Sequence, residues 1–210
     1  MMVAAKQGEE LVVSWDDSPA IHVERVPSPP TVTGVGVRPE RLTYHGPAIY
    51  YPSHAEWYEY MHRRLTHLAS VALKTHRAAQ VITSLTLGWD TALAEAATAL
   101  QIPVRVALPY MGLQTHWHLE HKQRYSRLVA KAEEVTTLHQ GGYKPWKFKQ
   151  AHVFRILESD LLFMLWDGVD STGKELITLS RKHEKEVVNL WGSWVKYGQL
   201  TGEEKTVDHG

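Results

Sequence analysis

From residue 31 onward, short apolar runs alternate with longer stretches in which apolar residues recur at helical spacing. Thr31 to Val35 reads as a strand, and Val81 and Ile82 as the end of a second, buried strand over 80–83. Between them, Trp57, Tyr60, Met61, Leu65, Leu68 and Val71 or Ala72 share one side of a helix running from about Ser53 to His76. Val104 to Leu108 (closed by Pro109), Glu134 to Leu138, Leu161 to Trp166 and Val187 to Trp191 are the remaining strand-like runs. The segments between them, Asp90 to Leu100, Leu119 to Ala132, Trp146 to Leu157 and Gly173 to His183, read as helices. Strands separated by helices require right-handed crossovers and a parallel sheet. The expected fold class is α/β, a Rossmann-like three-layer fold with a mainly parallel sheet and helices on both faces.

The first thirty residues follow a different pattern. Leu11 to Trp15 and Ile21 to Val26 could be short strands, and Pro27-Ser-Pro-Pro30 breaks whatever precedes it. The pattern therefore predicts an N-terminal appendage over 1–30, a nucleotide-binding domain over 31–198 and a flexible polar tail over 199–210. Trp194 and Tyr197, beyond the last strand, either cap the core or form a contact between subunits of a homo-oligomer. Composition narrows the functional classes. Lys plus Arg total 23 and Asp plus Glu total 23, so no bulk positive field favours a nucleic-acid partner. Cysteine is absent, which excludes disulfides, thiolate metal sites and a cysteine nucleophile. The longest apolar run, Leu161 to Trp166, is far too short to cross a bilayer, and nothing resembles a signal peptide. A cytoplasmic protein with no membrane partner is expected.

The strand-to-helix turn from Gln80 to Leu100 holds the strongest candidate chemistry. Ser84, Thr86 and Gly88 place hydroxyls and bare backbone where a ligand could approach, and Asp90 stands where a helix N-cap is expected. Strand ends and a positive helix N-terminus converge at such turns, which is why open α/β proteins bind phosphorylated ligands there. The other segments just past strand ends form a coherent set with this one. They hold Gly34, Arg38 and Pro39 after the first strand, Pro109, Tyr110, Gln114 and Trp117 after the third, and Asp167, Gly168, Ser171, Thr172 and Gly173 after the fifth. Glycines, hydroxyls and an arginine suit phosphate and ribose, while Tyr110, Trp117 and Trp146 offer flat surfaces to a base.

Several of these residues have plainer readings. Asp90 could be only a cap, Arg38 a surface ion pair, and Trp117 and Tyr125 packing aromatics. Glu175, one turn into a helix, is the single weak catalytic candidate, as a carboxylate beside a ribose, and a helix-start glutamate favoured by the dipole is its alternative. His116, His118 and His121 invite a metal reading, but no partnering carboxylate or histidine motif accompanies them, so no metal is expected. Tyr143-Lys-Pro-Trp-Lys-Phe-Lys149 interleaves cations with aromatics as single-strand binders do, but with zero net charge a helix entry lined by lysine stems is the favoured account.

Taken in order, Thr33-Gly34 with Arg38-Pro39, Leu87-Gly88-Trp89-Asp90, Pro109-Tyr110 with Gln114, Trp117 and Tyr125, Gly142-Tyr143 with Pro145-Trp146, and Ser159-Asp160 leading to Trp166-Asp167-Gly168 resemble the YpsA-like branch of the SLOG superfamily. That superfamily also contains DprA-like DNA-processing proteins and LOG-like nucleotide phosphoribohydrolases. The resemblance spans about Thr31 to Trp191 and implies a Rossmann-like domain that binds a nucleotide or nucleotide-derived molecule, with no settled reaction. The chain departs from the pattern in three places. Thr83-Ser84-Leu85-Thr86 replace a glycine and small residues, Ser171-Thr172-Gly173 replace a Gly-Gly-Thr turn, and Ala151-His152 replace an Arg-Asn pair.

The expected function is binding of a nucleotide or nucleotide-derived small molecule at the C-terminal edge of the sheet, as a sensor, carrier or sequestering module, without a cofactor. An N-glycoside hydrolase of the phosphoribohydrolase kind, acting on a nucleoside monophosphate, is one alternative. A DprA-like DNA-processing accessory protein is the other. Neutral charge counts against the second, and the missing Gly-Gly-Thr turn against the first.

Overall fold

The computed structural model describes residues 10–14, 22–26, 28–36, 54–169 and 171–200. Strands β1 (Glu10–Ser14) and β2 (His22–Val26) pair antiparallel in a two-stranded sheet of their own. The main sheet consists of β3 (Thr31–Gly36), β4 (Gln80–Thr83), β5 (Val104–Leu108), β6 (Glu134–Thr137), β7 (Leu161–Leu165) and β8 (Glu186–Asn189). All its pairings are parallel, in the order β6-β5-β4-β3-β7-β8. Helices α1 (His54–Thr75), α2 (Trp89–Ala99), α3 (Leu119–Lys131), α4 (Pro145–Leu157) and α5 (Ser171–Lys182) connect the strands, and α6 (Trp191–Leu200) follows the last one. This is the Rossmann-like α/β fold that the alternating pattern predicts.

The strand order determines where a ligand can sit. The chain steps outward from β3 through β4 and β5 to β6, and α4 then carries it back past β3 to β7. Connections leaving β3 and β7 therefore diverge to opposite sides, which opens a crevice at their carboxyl ends.

Both faces of the sheet are covered, and β7 shows how one short run of sequence serves both. All five of its residues are buried. Leu161, Phe163 and Leu165 enter the larger core with residues of α1 and α2, while Leu162 and Met164 join Val35, Ile156 and Leu176 in a smaller one. Side chains alternate across a strand, so an uninterrupted apolar run is what a doubly covered strand needs. On the larger side α1 packs on α2 and α2 on α3. A polar seam joins these helices: His62 Nε2 lies 2.5 Å from Glu95 Oε2, and Arg124 Nη2 donates to both carboxylate oxygens of Glu59 at 2.9 Å.

Sequence and structure differ at the C-terminal end of the sheet. β8 stops at Asn189, two residues before the expected limit, and Trp191 opens α6. Asn189 makes the change of direction: its Oδ1 accepts the N–H groups of Trp166 and Trp191 at 3.3 and 3.1 Å, and its Nδ2 donates to the Trp166 carbonyl at 2.9 Å. Trp194 is fully buried in the larger core, with the Arg64 guanidinium 4.3 Å from its ring centroid. It caps the core and is not on a surface available to a second subunit.

Candidate functional site

The turn from β4 to α2 is built from side chains that satisfy one another. Thr83 donates its hydroxyl to the Asp90 carbonyl at 3.1 Å and accepts the Leu85 N–H at 3.2 Å. Leu85 has φ 54, an unusual value for a residue with a Cβ, and is held there by complete burial. Gly88 occupies the N-cap position with φ 99, where a glycine is required. Asp90 is therefore not the cap that the sequence suggests but the second residue of α2. Its carboxylate still meets the positive helix end. One oxygen accepts the Thr86 hydroxyl at 2.8 Å, and the other lies 3.4 Å from Arg155 Nη1.

Trp89 turns inward beneath β3, and two glycines make room for it. A Cβ on Gly34 would fall 2.6 Å from Trp89 Nε1, and one on Gly36 would fall 2.5 Å from Trp89 Cβ. Arg155, from α4, reaches the same place from the opposite face of the sheet. Its side chain is fully buried, and Nη1 donates to the Gly34 carbonyl at 2.8 Å besides pairing with Asp90. Sequence reading passes over Arg155. The available signal is its spacing from Ala151, which puts an arginine on the buried stripe of an amphipathic helix.

At the carboxyl ends of β3 and β7 a cleft of about 1070 Å³ opens. This is at the upper end of ligand-sized sites, which run to roughly 1,000 Å³. Val35 and Gly36 of β3, Met164 and Leu165 of β7, and Thr86 and Leu87 of the β4–α2 turn form its inner part. One wall is the face of α4 carrying Trp146, Phe148, Lys149, His152 and Val153, and the other is α5 with Thr172, Gly173, Glu175, Leu176 and Leu179. Trp166 closes the end of β7, held tightly because a Cβ on Gly173 would approach it to 2.4 Å. At the rim Lys149 Nζ donates to Glu175 Oε2 at 2.7 Å, and both side chains are more than half exposed. His152 behaves differently from the rim pair. Burial, with the nearby positive charge of Arg155 adding to it and Asp90 opposing, pushes its pKa down to about 4.

The cleft thus gathers Thr86, Trp146, Thr172, Gly173 and Glu175 from the sequence candidates. Ser171, Asp167 and Gly168 belong to the adjoining β7–α5 turn, where Asp167 Oδ1 accepts the Val169 N–H at 3.0 Å and Gly168 has φ 87. Gly34, Ser84, Gly88, Trp89 and Asp90 lie behind the cleft as buried support. Pro109, Tyr110, Gln114 and Trp117 lie after β5, outside the lining. Tyr110 packs edge-on to Phe148, and Trp117 packs on Tyr125. Arg38 and Pro39 fall outside the described residues. Lys147 is not a free cation of the aromatic and lysine segment: its Nζ donates to the carbonyls of Gln140, Gly141 and Gly142 at 2.7, 3.1 and 2.8 Å. His121 packs against Tyr58 with ring centroids 4.2 Å apart. Among the described residues no group of three His, Cys, Asp or Glu side chains is arranged to hold a metal ion.

Comparison with known proteins agrees with this architecture. The Helicobacter pylori DNA processing protein A, solved in a study of its single-stranded DNA binding, has a TM-score of 0.51 at 17% identity, over 77% of this chain and 65% of that one. DNA processing protein A of Streptococcus pneumoniae gives 0.49 at 13% identity, over 82% and 56%. In sequence, the UPF0398 protein YpsA of Bacillus subtilis (strain 168) is 32% identical over 93 residues. The match covers 41% of this chain and 52% of the relative, so the chain matches about half the length of that protein. The family profile described as the YspA SLOG family matches residues 50–191, from the segment before α1 to the start of α6. The chain belongs to the YpsA family of SLOG proteins.

Proposed function

We propose that this protein binds a nucleotide or nucleotide-derived small molecule in the cleft between β3 and β7, as a sensor, carrier or sequestering module. The observation that carries the reading is the position of the cleft. It opens at the carboxyl ends of parallel strands where the connections diverge, and apolar walls there meet a few polar groups, Thr86, Thr172, His152 and the Lys149–Glu175 pair. Such crevices are where doubly wound sheets take their ligands. Trp146, half exposed at the start of α4, offers its ring to a base. Family membership supports the same reading, and a cytoplasmic setting is part of it.

Binding without chemistry is favoured by the state of Glu175. A carboxylate that stabilises an oxocarbenium-like centre must face the sugar, whereas Glu175 is exposed at the rim and paired with Lys149. Single-stranded DNA handling gains no charge argument from the neutral chain, and the fold likeness to DNA processing protein A does not supply one.

Thermal melts with the four ribonucleoside 5′-monophosphates test the proposal. A ligand at a hundred times its dissociation constant stabilises the native state by about 2.7 kcal/mol, enough to move a melt by several degrees. The expected result is a raised melting temperature in the wild type that Thr172→Trp, which fills the cleft from an exposed position, abolishes. Flat melts throughout, or a shift produced by an oligodeoxynucleotide alone, would reject the proposal. Chromatography of the same mixtures should show no free base, and base release lost in Glu175→Gln would favour the hydrolase instead.

A further inference from the structure

The cleft contains one side chain that no hydrogen bond among the described residues engages. His152 lies on the cleft face of α4, one turn further along the helix than Lys149, and shares the lining with Thr86, Gly36 and Val35. Among the described residues neither of its ring nitrogens has a hydrogen-bond partner, although the neighbouring polar groups are committed. Thr86 gives its proton to Asp90, Asp90 is shared with Arg155, and Arg155 is anchored on the Gly34 carbonyl. An imidazole with one N–H and one bare nitrogen is both a donor and an acceptor.

We propose that His152 contacts the ligand directly, reading the uncharged donor and acceptor edge of a nucleobase, and that the phosphate does not sit beside it. The inference rests on the proposed binding function and adds the orientation of the ligand and the residue that selects it. Three features of the structure support it. The inner cleft is walled by Val35, Leu165, Leu176 and Val153, which suit a flat uncharged group and not a phosphate. Among the described residues the charged groups around the ring are Arg155 and Asp90 beneath it, which pair with each other, and Lys149 and Glu175 in the lining, which pair at the rim. None of these four is left over to fix a phosphate beside His152. Burial and Arg155 together also keep the imidazole uncharged at neutral pH, so it meets the ligand as a neutral hydrogen-bonding group.

Titration calorimetry on the full chain tests this, with the four ribonucleoside 5′-monophosphates at pH 7 in two buffers of different ionisation enthalpy. The nucleotide bound most tightly by the wild type is then titrated into His152→Ala and His152→Gln, each first shown to be folded by its thermal melt. We expect roughly a tenfold loss of affinity in His152→Ala and substantial recovery in His152→Gln, which restores a neutral donor and acceptor. The wild-type binding enthalpy should be the same in both buffers. Unchanged affinity in His152→Ala would overturn the assignment while leaving nucleotide binding intact. Buffer-dependent enthalpy, showing proton uptake that disappears in His152→Ala, would make the residue a phosphate-binding cation and overturn it equally. Absence of binding by the wild type would reject the binding function itself.

Discussion

Glycine and histidine carry the clearest consequences at the scale of single residues. Gly34 leaves the space that Trp89 and Leu93 fill, with a virtual Cβ only 2.6 Å from Trp89 Nε1 and 2.8 Å from Leu93 Cδ2. Gly34→Ala is therefore expected to destabilise the chain by about 1–3 kcal/mol, as overpacked cores do; urea unfolding measures it. The sequence presents Gly34 as a candidate ligand contact, but the structure places it inside β3 with a packing partner 55 residues further on, which no local pattern announces. His152 makes a different prediction. Its pKa falls from 6.5 to about 4 on folding, so between these values the unfolded chain binds a proton that the native chain refuses. Stability should fall as pH drops from about 6.5 towards about 4, by at most on the order of 3 kcal/mol from this group. Glu95, whose pKa is held below the ordinary carboxylate range despite burial by its bonds to His62 and Arg124, works in the same direction at lower pH. Comparing the pH dependence of unfolding in the wild type and His152→Gln isolates the histidine: the variant should show a shallower decline.

Among the elements, α4 joins the structure to the candidate site. One face supplies the cleft wall, and Arg155 on another ties the helix to β3 and to the first turn of α2. With Arg155 fully buried and Asp90 4% exposed, removing either partner leaves a buried charge. Arg155→Met or Asp90→Asn alone should cost about 3–5 kcal/mol, and the double variant clearly less than the sum. A double-mutant cycle in urea checks this, and additive costs would show that the pair is not coupled. The elements were largely legible because period-two and helical patterns follow directly from which faces are buried. The start of α2 and the end of β8 were not. Helix α2 begins at a glycine whose φ cannot be read from residue type, and β8 ends where a side chain of its own, Asn189, intercepts the backbone of Trp166 and Trp191. Arg155 escaped for a related reason: a lone arginine in a helix is ordinarily solvated, and only the packed sheet reveals its partners.

For the whole molecule the argument turns on strand order, since the return of the chain through α4 to β7 opens a crevice beside the central strand. The sequence indicated a ligand-binding edge but not where along that edge the cleft would open. Candidates after β5 were equivalent to those after β7 until the order β5-β4-β3-β7 set them apart. The central claim is that a nucleotide occupies the β3–β7 cleft. Native mass spectrometry of the intact chain with an equimolar mixture of the four ribonucleoside 5′-monophosphates tests it most directly. The account predicts a one-to-one adduct with the wild type that is lost in Thr172→Trp and retained in a Gln114→Ala control, whose altered position lies after β5 and outside the cleft. No adduct, or one that persists undiminished in Thr172→Trp, would contradict it.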